Sequence, residues 1–148
     1  YIVAEEDGVI VGYAYAGPFK GRAAYDRTVE TTVYVDRNKK RGGIGTALYD
    51  ALEKALAAQG ILNAEACIGY PENGEEDEYL TCDSPKFHEY MGYRLVGEFR
   101  RCGYKFGRWY NMIWMEKFLG EHPSDGSVQP IKRFADIAEL VMPVKIQK

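Results

Sequence analysis

The sequence has few cysteines and no long apolar run, and these shortages exclude several classes of protein. Its three cysteines, Cys67, Cys82 and Cys102, are an odd number and show no CxxC spacing, which favours reduced thiols in a cytoplasmic protein over a disulfide framework. Because only two histidines accompany these scattered thiols, we expect no metal site. The sequence contains no stretch of about 18 apolar residues, so we expect no membrane-spanning helix and no membrane partner.

The chain also lacks a strong charge of either sign. Nineteen Lys and Arg against 22 Asp and Glu give a net charge of −3 over 148 residues, so nothing indicates a nucleic-acid partner. Hydrophobic residues make up 46% of the chain and aromatic residues 14%, a composition typical of a folded globular protein.

The pattern of apolar residues predicts a mixed α/β fold. Strand-like segments and helix-like segments alternate along most of the chain, and an acidic loop at 71–78 is expected to be solvated. Ser84 followed by Pro85 indicates a helix N-terminus with Ser84 as its cap. The predicted strands are a hairpin over 1–16 that turns at Asp7-Gly8 and segments 28–35, 61–68, 93–101 and 111–118, and the predicted helices are 44–59 and 84–92. This order predicts one mixed sheet with helices packed against it.

Composition divides the chain into a core over residues 1–120 and a linker with an amphipathic tail over 121–148. Pro123-Ser124-Asp125-Gly126 is typical of a linker. Apolar residues between Ile131 and Val141 recur at helical spacing and predict a short amphipathic helix. Because the chain starts at Tyr1 without methionine and enters a strand pattern directly, we expect that residues precede it in the protein.

A glycine-rich run, Lys40 to Thr46, lies between the strand predicted at 28–35 and the helix predicted at 44–59. Glycines allow the backbone to approach a ligand closely, and a helix N-terminus attracts anions such as phosphate. The run is not a P-loop, because no GxxxxGK motif is present, and Leu48 stands where a dinucleotide fingerprint needs its third glycine. The sequence therefore predicts a site for a different phosphorylated cofactor.

The same run resembles the coenzyme A loop of the GCN5-related N-acetyltransferases, with Lys40 where that family has Gln or Arg. Further segments are similar to its phosphinothricin N-acetyltransferase branch, and the resemblance extends from Tyr1 to about Phe118. Those segments are 16–20, 24–26, 30–35, 58–60, 68–69 and 103–105. The resemblance implies an acyl-CoA N-acyltransferase fold that lacks the family's N-terminal strand and two helices.

The resemblance also implies roles for individual residues. Glu30 would be the general base, the backbone N–H of Val35 would face the thioester carbonyl, and His88 would return a proton to the thiolate. Arg22 and Tyr25 would face the acceptor, and the Arg22 guanidinium could pair with a carboxylate. Residues expected to bind acetyl-CoA are Val33, Tyr34, Val35, Lys40, Arg41, Gly42, Gly43, Ile44, Gly45, Thr46, Thr81 and Ser84.

The resulting hypothesis is an acetyl-CoA-dependent N-acetyltransferase acting on the primary amine of a small amino-acid-like acceptor, of the phosphinothricin or methionine sulfoximine type. The resemblance further implies a homodimer. Three alternatives remain open at this stage: a non-catalytic sensor module that binds acetyl-CoA, an acetyltransferase acting on a protein or peptide amine, and an interaction protein that keeps the fold without the cofactor.

Overall fold

The structure, a computed structural model, describes residues 1–39 and 42–141 and divides the chain into two compact units. The first unit contains Tyr1–Ala64 and the chain from Phe118 onward, and the second contains Glu65–Lys117. The predicted order of strands and helices is confirmed. The strands are β1 Ile2–Glu6, β2 Val9–Pro18, β3 Thr28–Val35, β4 Asn63–Tyr70, β5 Arg94–Lys105 and β6 Arg108–Phe118, and the helices are α1 Ile44–Gln59, α2 Asp83–Tyr90 and α3 Ala138–Val141.

The first unit begins with three antiparallel strands in the order β1-β2-β3. The predicted turn at Asp7-Gly8 is confirmed, and both residues have a positive φ (51° and 78°). A two-residue hairpin turn of this type matches the right-handed twist of the two strands that it joins. In β3, Thr31 is buried and Tyr34 is 55% exposed. The alternation along β3 therefore directs Thr31 towards the core and Glu30 to the other face.

Helix α1 packs its apolar side into the core of this unit. Its buried apolar residues follow helical spacing and are Ile44, Leu48, Tyr49, Ala51, Leu52, Ala55 and Leu56. The fully buried Tyr49 hydroxyl donates to Oγ1 of Thr31 at 3.4 Å. Gly12 of β2 allows this approach, since a Cβ there would lie 2.9 Å from the Tyr34 carbonyl oxygen and 3.1 Å from Cδ1 of Leu48.

The segment after Pro123 returns to α1. Arg27 donates to the carbonyl oxygens of Gly60 at 2.9 Å and Gln129 at 2.5 Å, and Ile137 is 1% exposed in a cluster with Ala55 and Val141. The predicted amphipathic helix is observed as two single turns, 134–136 and 138–141. The helix is interrupted at Ile137, where φ is −125°. Residues 142–148 of the tail lie outside the described range.

In the second unit, the strand order is β4-β6-β5, and β5 pairs antiparallel with β6 through a turn at Phe106-Gly107. The predicted N-cap at Ser84 is wrong, because α2 begins at Asp83 and Cys82 occupies the cap position. Pro85 is therefore the third helical residue, which is tolerated because the N–H groups of the first turn have no partner within the helix. Among the described residues of both units, no helix is long and apolar enough to cross a membrane.

Candidate active site

Glu30, the predicted base, lies in the first half of β3 and is partly buried. Its register partner on β2 is Gly17, and a Cβ at Gly17 would meet no described atom within 4 Å. The carboxylate thus stands on the strand face opposite the core, beside open space. A group placed in this way can reach a small molecule on that face.

The end of β3 leads into the predicted cofactor loop. Val33, Tyr34 and Val35 pair with Ala14, Tyr13 and Gly12 of β2. After Val35 the chain makes a single turn at 37–39, in which Asp36 Oδ1 accepts from the Asn38 N–H at 2.8 Å. Lys39 forms an ion pair with Glu6 at 2.9 Å, so its charge is directed towards β1.

The glycines of the loop form the N-terminus of α1. Gly43 has a left-handed φ of 78° at the cap position, and the first helical bond runs from the Ala47 N–H to its carbonyl oxygen at 3.0 Å. No side chain among the described residues caps this end of the helix. Because Gly43 carries no side chain, the N–H groups of Ile44, Gly45 and Thr46 can approach an anion, which suits a pyrophosphate.

Two predicted cofactor residues, Lys40 and Arg41, lie outside the described residues. Gly42 is described, and a Cβ there would lie 3.4 Å from the Lys39 carbonyl oxygen. A side chain at Gly42 would thus be in contact with that oxygen. At Gly43 the requirement is a left-handed backbone, which glycine adopts readily.

His88, the predicted proton donor, lies in α2 of the second unit and is 4% exposed. Its Nδ1 is 2.7 Å from the carbonyl oxygen of Ser84; since a carbonyl can only accept, Nδ1 carries a proton and Nε2 holds the lone pair of the neutral ring. Burial lowers the pKa of His88, against a raising effect of the bond to Ser84. The ring is therefore neutral near pH 7 and is oriented by edge contacts with Phe87 and Tyr93.

Ser84 and Thr81 accompany His88 in the same unit. The Ser84 hydroxyl lies 3.5 Å from His88 Nδ1, and the Thr81 hydroxyl accepts from the Asp83 N–H at 3.4 Å. The structure thus brings Ser84 and His88 together on the first turns of α2, while Thr81 supports the start of that helix.

The two predicted acceptor residues differ in their surroundings. Arg22 is exposed and precedes a single turn at 23–25. Tyr25 lines a cavity of about 420 Å³ in the first unit, together with Leu56 and the tail residue Ile131. Tyr25 and Ile131 thus meet at one cavity although they are far apart in the chain.

One cluster of titratable side chains in the second unit was missed by the sequence analysis. Glu65 of β4 is 8% exposed, and its pKa is raised to about 7, first by burial and second by Glu116, with Arg94 acting in the opposite direction. Arg94 also pairs with Glu116 at 2.7 Å. In the sequence, the signal for this cluster is a glutamate between two alanines within a predicted strand, which indicates a carboxyl group among apolar neighbours.

Comparisons with known proteins place the chain in a family. The model of the acetyltransferase (GNAT) domain matches residues 1–114, so the chain belongs to the GNAT acetyltransferase family. A phosphinothricin N-acetyltransferase of Streptomyces viridochromogenes is 43% identical over 119 residues, covering 80% of this chain and 60% of that protein. An L-methionine sulfoximine/L-methionine sulfone acetyltransferase of Pseudomonas paraeruginosa is 30% identical over 115 residues, covering 78% of this chain and 62% of that protein.

The solved structures agree with this assignment. A GNAT phosphinothricin acetyltransferase of Sinorhizobium meliloti, solved with AcCoA, superposes with a TM-score of 0.72 at 32% identity and covers 89% of this chain and 69% of its own. The mixed α/β fold of the GNAT type is thereby confirmed. The chain spans about 60% of the length of the curated relatives it matches.

Proposed function

We propose that this chain carries the catalytic core of an acetyl-CoA-dependent N-acetyltransferase that acetylates the primary amine of a small amino-acid-like acceptor. The observation that carries the proposal is the glycine loop at the N-terminus of α1, directly after the strand that holds Glu30. Membership of the GNAT family and the names of two relatives support an acceptor of the phosphinothricin or methionine sulfoximine type.

The chain's residues would hold acetyl-CoA, which supplies the activated acetyl group, mainly through backbone N–H groups. Residues 42–46 would bind the pyrophosphate at the start of α1, and Lys40 and Arg41 would add positive charge. The end of β3, over Val33–Val35, would lie along the acyl end, with the N–H of Val35 donating to the thioester carbonyl oxygen as negative charge develops there.

Glu30 would take the proton from the acceptor amine. An alkylammonium group is protonated near pH 7, with a pKa of about 10 for lysine, and must lose a proton before its nitrogen can attack the thioester. A carboxylate on the open face of β3 can accept that proton directly or through one water.

His88 would return a proton to the thiolate, with Ser84 orienting its ring. Because Nδ1 donates to the Ser84 carbonyl oxygen and the ring is neutral, Nε2 must first accept a proton before it can pass one on. His88 would therefore be protonated at Nε2 before it returns a proton to the thiolate, and Thr81 would support the same end of α2.

Four further features belong to the proposal. Arg22 and Tyr25 would contact the acceptor, with the Arg22 guanidinium pairing with its carboxylate. The protein would be cytoplasmic, in keeping with its three cysteines, none of which forms a disulfide in the described residues, and would form a homodimer. The exposed apolar side chains of the edge strand β5 support an association, since such edges are normally covered; they are Leu95, Val96 and Phe99, exposed by 62%, 57% and 56%.

The test is release of coenzyme A from acetyl-CoA with a panel of amino acids, including phosphinothricin and methionine sulfoximine. In the intact protein, Glu30→Gln is expected to lower kcat by about 100-fold or more, while Glu5→Gln, on the exposed face of β1, leaves it unchanged. Binding of acetyl-CoA without turnover would instead support a sensor module, and failure to bind acetyl-CoA would refute the proposal.

A further inference from the structure

The strand face that carries Glu30 has an unfilled position directly beside the carboxylate. Gly17 of β2 is the register partner of Glu30, and the side chains of such a pair share one face, with Cβ atoms about 4.5–5.5 Å apart. Because Gly17 has no side chain, this position holds no described atom within 4 Å of where a Cβ would lie. Any other residue at position 17 would therefore place its side chain next to the Glu30 carboxylate.

The Glu30 carboxylate has no partner in the part of the chain that the structure describes. No hydrogen bond or ion pair joins it to residues 1–39 or 42–141. Glu30 is partly buried, and taking an ionised carboxylate out of water costs free energy unless a hydrogen-bond donor or a positive charge accompanies it. The unfilled position over Gly17 is a place from which such a group can approach the carboxylate.

Two aromatic side chains lie on either side of this position. Tyr15 and Phe19 stand two residues before and after Gly17 on β2 and its extension, and so share its face. The N–H of Phe19 donates to the carbonyl oxygen of Thr28 at 3.4 Å, which continues the pairing of the two strands. Aromatic side chains at such diagonal positions can reach the residue between them. The space over Gly17, between Tyr15 and Phe19 and beside Glu30, is called the β2 gap below.

Ring contacts hold both walls of the β2 gap in place. The Tyr15 ring stacks on the Tyr1 ring with centroids 4.8 Å apart and planes 18° apart. The Phe19 ring meets Tyr25 edge-on at 6.4 Å, and the Lys20 ammonium group lies 4.8 Å from the centre of the Phe19 ring. Aromatic rings attract ammonium groups, and a carboxylate between two such rings suits a protonated amine.

We propose that the β2 gap binds the amino group of the acceptor, and that Gly17 is a specificity-determining residue because it leaves this space open. The inference rests on the proposed acetyltransferase function and assigns the place of its amine. In the gap the ammonium N–H donates to the Glu30 carboxylate and then passes its proton to it, which leaves the nitrogen lone pair free to attack the thioester carbon. A side chain at position 17 would occupy the volume that the nitrogen needs.

The first experiment enlarges residue 17 in two steps and measures coenzyme A release with phosphinothricin and methionine sulfoximine. Gly17→Ala should lower kcat/KM for the acceptor by about tenfold and Gly17→Val by about 100-fold or more. The dissociation constant of acetyl-CoA and the thermal midpoint should stay at their wild-type values. Folding tolerates both changes, because no described atom lies within 4 Å of the added Cβ and a strand interior disfavours glycine.

The matched control is Gly97→Val in β5, where an added Cβ also meets no described atom within 4 Å. It should leave kcat/KM and the thermal midpoint unchanged. Wild-type kcat/KM in Gly17→Val, or a parallel loss of acetyl-CoA binding, would overturn the inference while the acetyltransferase proposal stands. If the wild type acetylates no amine, the proposed function fails, and the gap is then judged by a measurement that needs no turnover.

That measurement is the coupling of methylamine to Glu30 by a water-soluble carbodiimide, followed by peptide mass spectrometry. The carbodiimide activates the carboxylate, the amine nitrogen forms an amide with the carboxyl carbon, and the carbodiimide leaves as its urea. Coupling at Glu30 should be about tenfold lower in Gly17→Val than in the wild type and in Gly97→Val. Coupling at the exposed Glu5 of β1 should be equal in all three proteins. No coupling at Glu30 in the wild type, or equal coupling in Gly17→Val, would exclude the gap as an amine site.

Discussion

Replacing Glu65 by glutamine should remove a pH-dependent loss of stability in the second unit. Glu65 has an ordinary carboxyl pKa of 4.5 when the chain is unfolded and a pKa of about 7 in the fold, where burial, chiefly, and Glu116 disfavour its charge. The folded state therefore holds a proton that the unfolded state releases, and stability falls as pH rises from about 4.5 to 7. Below pH 4.5 Glu65 is protonated in both states and no stability is lost. Well above pH 7 it is ionised in both states and the loss of stability is complete.

The magnitude follows from the interval between the two pKa values. It corresponds to at most about 3 kcal/mol of unfolding free energy between pH 4.5 and pH 8. Glutamine has nearly the same shape and does not titrate, so the difference in stability between Glu65→Gln and the wild type should grow in favour of the variant over this window. The pKa of about 7 already includes the opposing effect of Arg94, which pairs with Glu116.

Urea denaturation at pH 5, 6, 7 and 8 measures the effect. Both tryptophans, Trp109 and Trp114, lie in the second unit, so tryptophan fluorescence reports on the unit that holds Glu65. Glu89→Gln, at an exposed residue of α2, is the control and should run parallel to the wild type at every pH. A difference between Glu65→Gln and the wild type that stays constant from pH 5 to pH 8 would refute the reasoning.

Three other predictions concern packing and protonation. Gly12→Ala should lower the free energy of unfolding by about 1–3 kcal/mol and weaken acetyl-CoA binding, because the added Cβ would lie 2.9 Å from a backbone carbonyl oxygen under α1. The control in thermal unfolding is Gly17→Ala, whose added Cβ would meet no described atom within 4 Å. Ile137→Ala should cost about 2–5 kcal/mol, measured in urea against Leu140→Ala at a residue that is 71% exposed. Because the pKa of His88 is lowered in the fold, wild-type stability should fall as pH drops below 6.5, and tryptophan fluorescence in urea should find this fall reduced in His88→Gln.

The parts of the molecule that the sequence predicts correctly depend on short-range signals. The apolar spacing of α1, the Asp7-Gly8 turn and the alternation of β3 are all decided by residues within a few positions of one another. The glycine loop could be located for the same reason, because a strand end, glycines and a helix start are adjacent in the chain.

The parts that were missed depend on partners far apart in the sequence. Asp77 fixes its loop through Arg108, 31 residues away, and the tail is held by a bond from Arg27 to Gln129, 102 residues away. Local composition describes the loop as acidic and solvated and the tail as a linker followed by a helix. Only the fold supplies the arginine that pairs with Asp77 and the helix surface that covers Ile137.

The return of the tail to α1 affects where this protein can be shortened. The family match ends at residue 114, and a truncation near Phe118 would keep every strand and both longer helices. It would also expose Ala55 of α1, remove Ile137 and leave the Arg27 guanidinium without its Gln129 acceptor. We therefore expect a piece that ends near Phe118 to be less stable than one that extends to Val141, well beyond the family boundary.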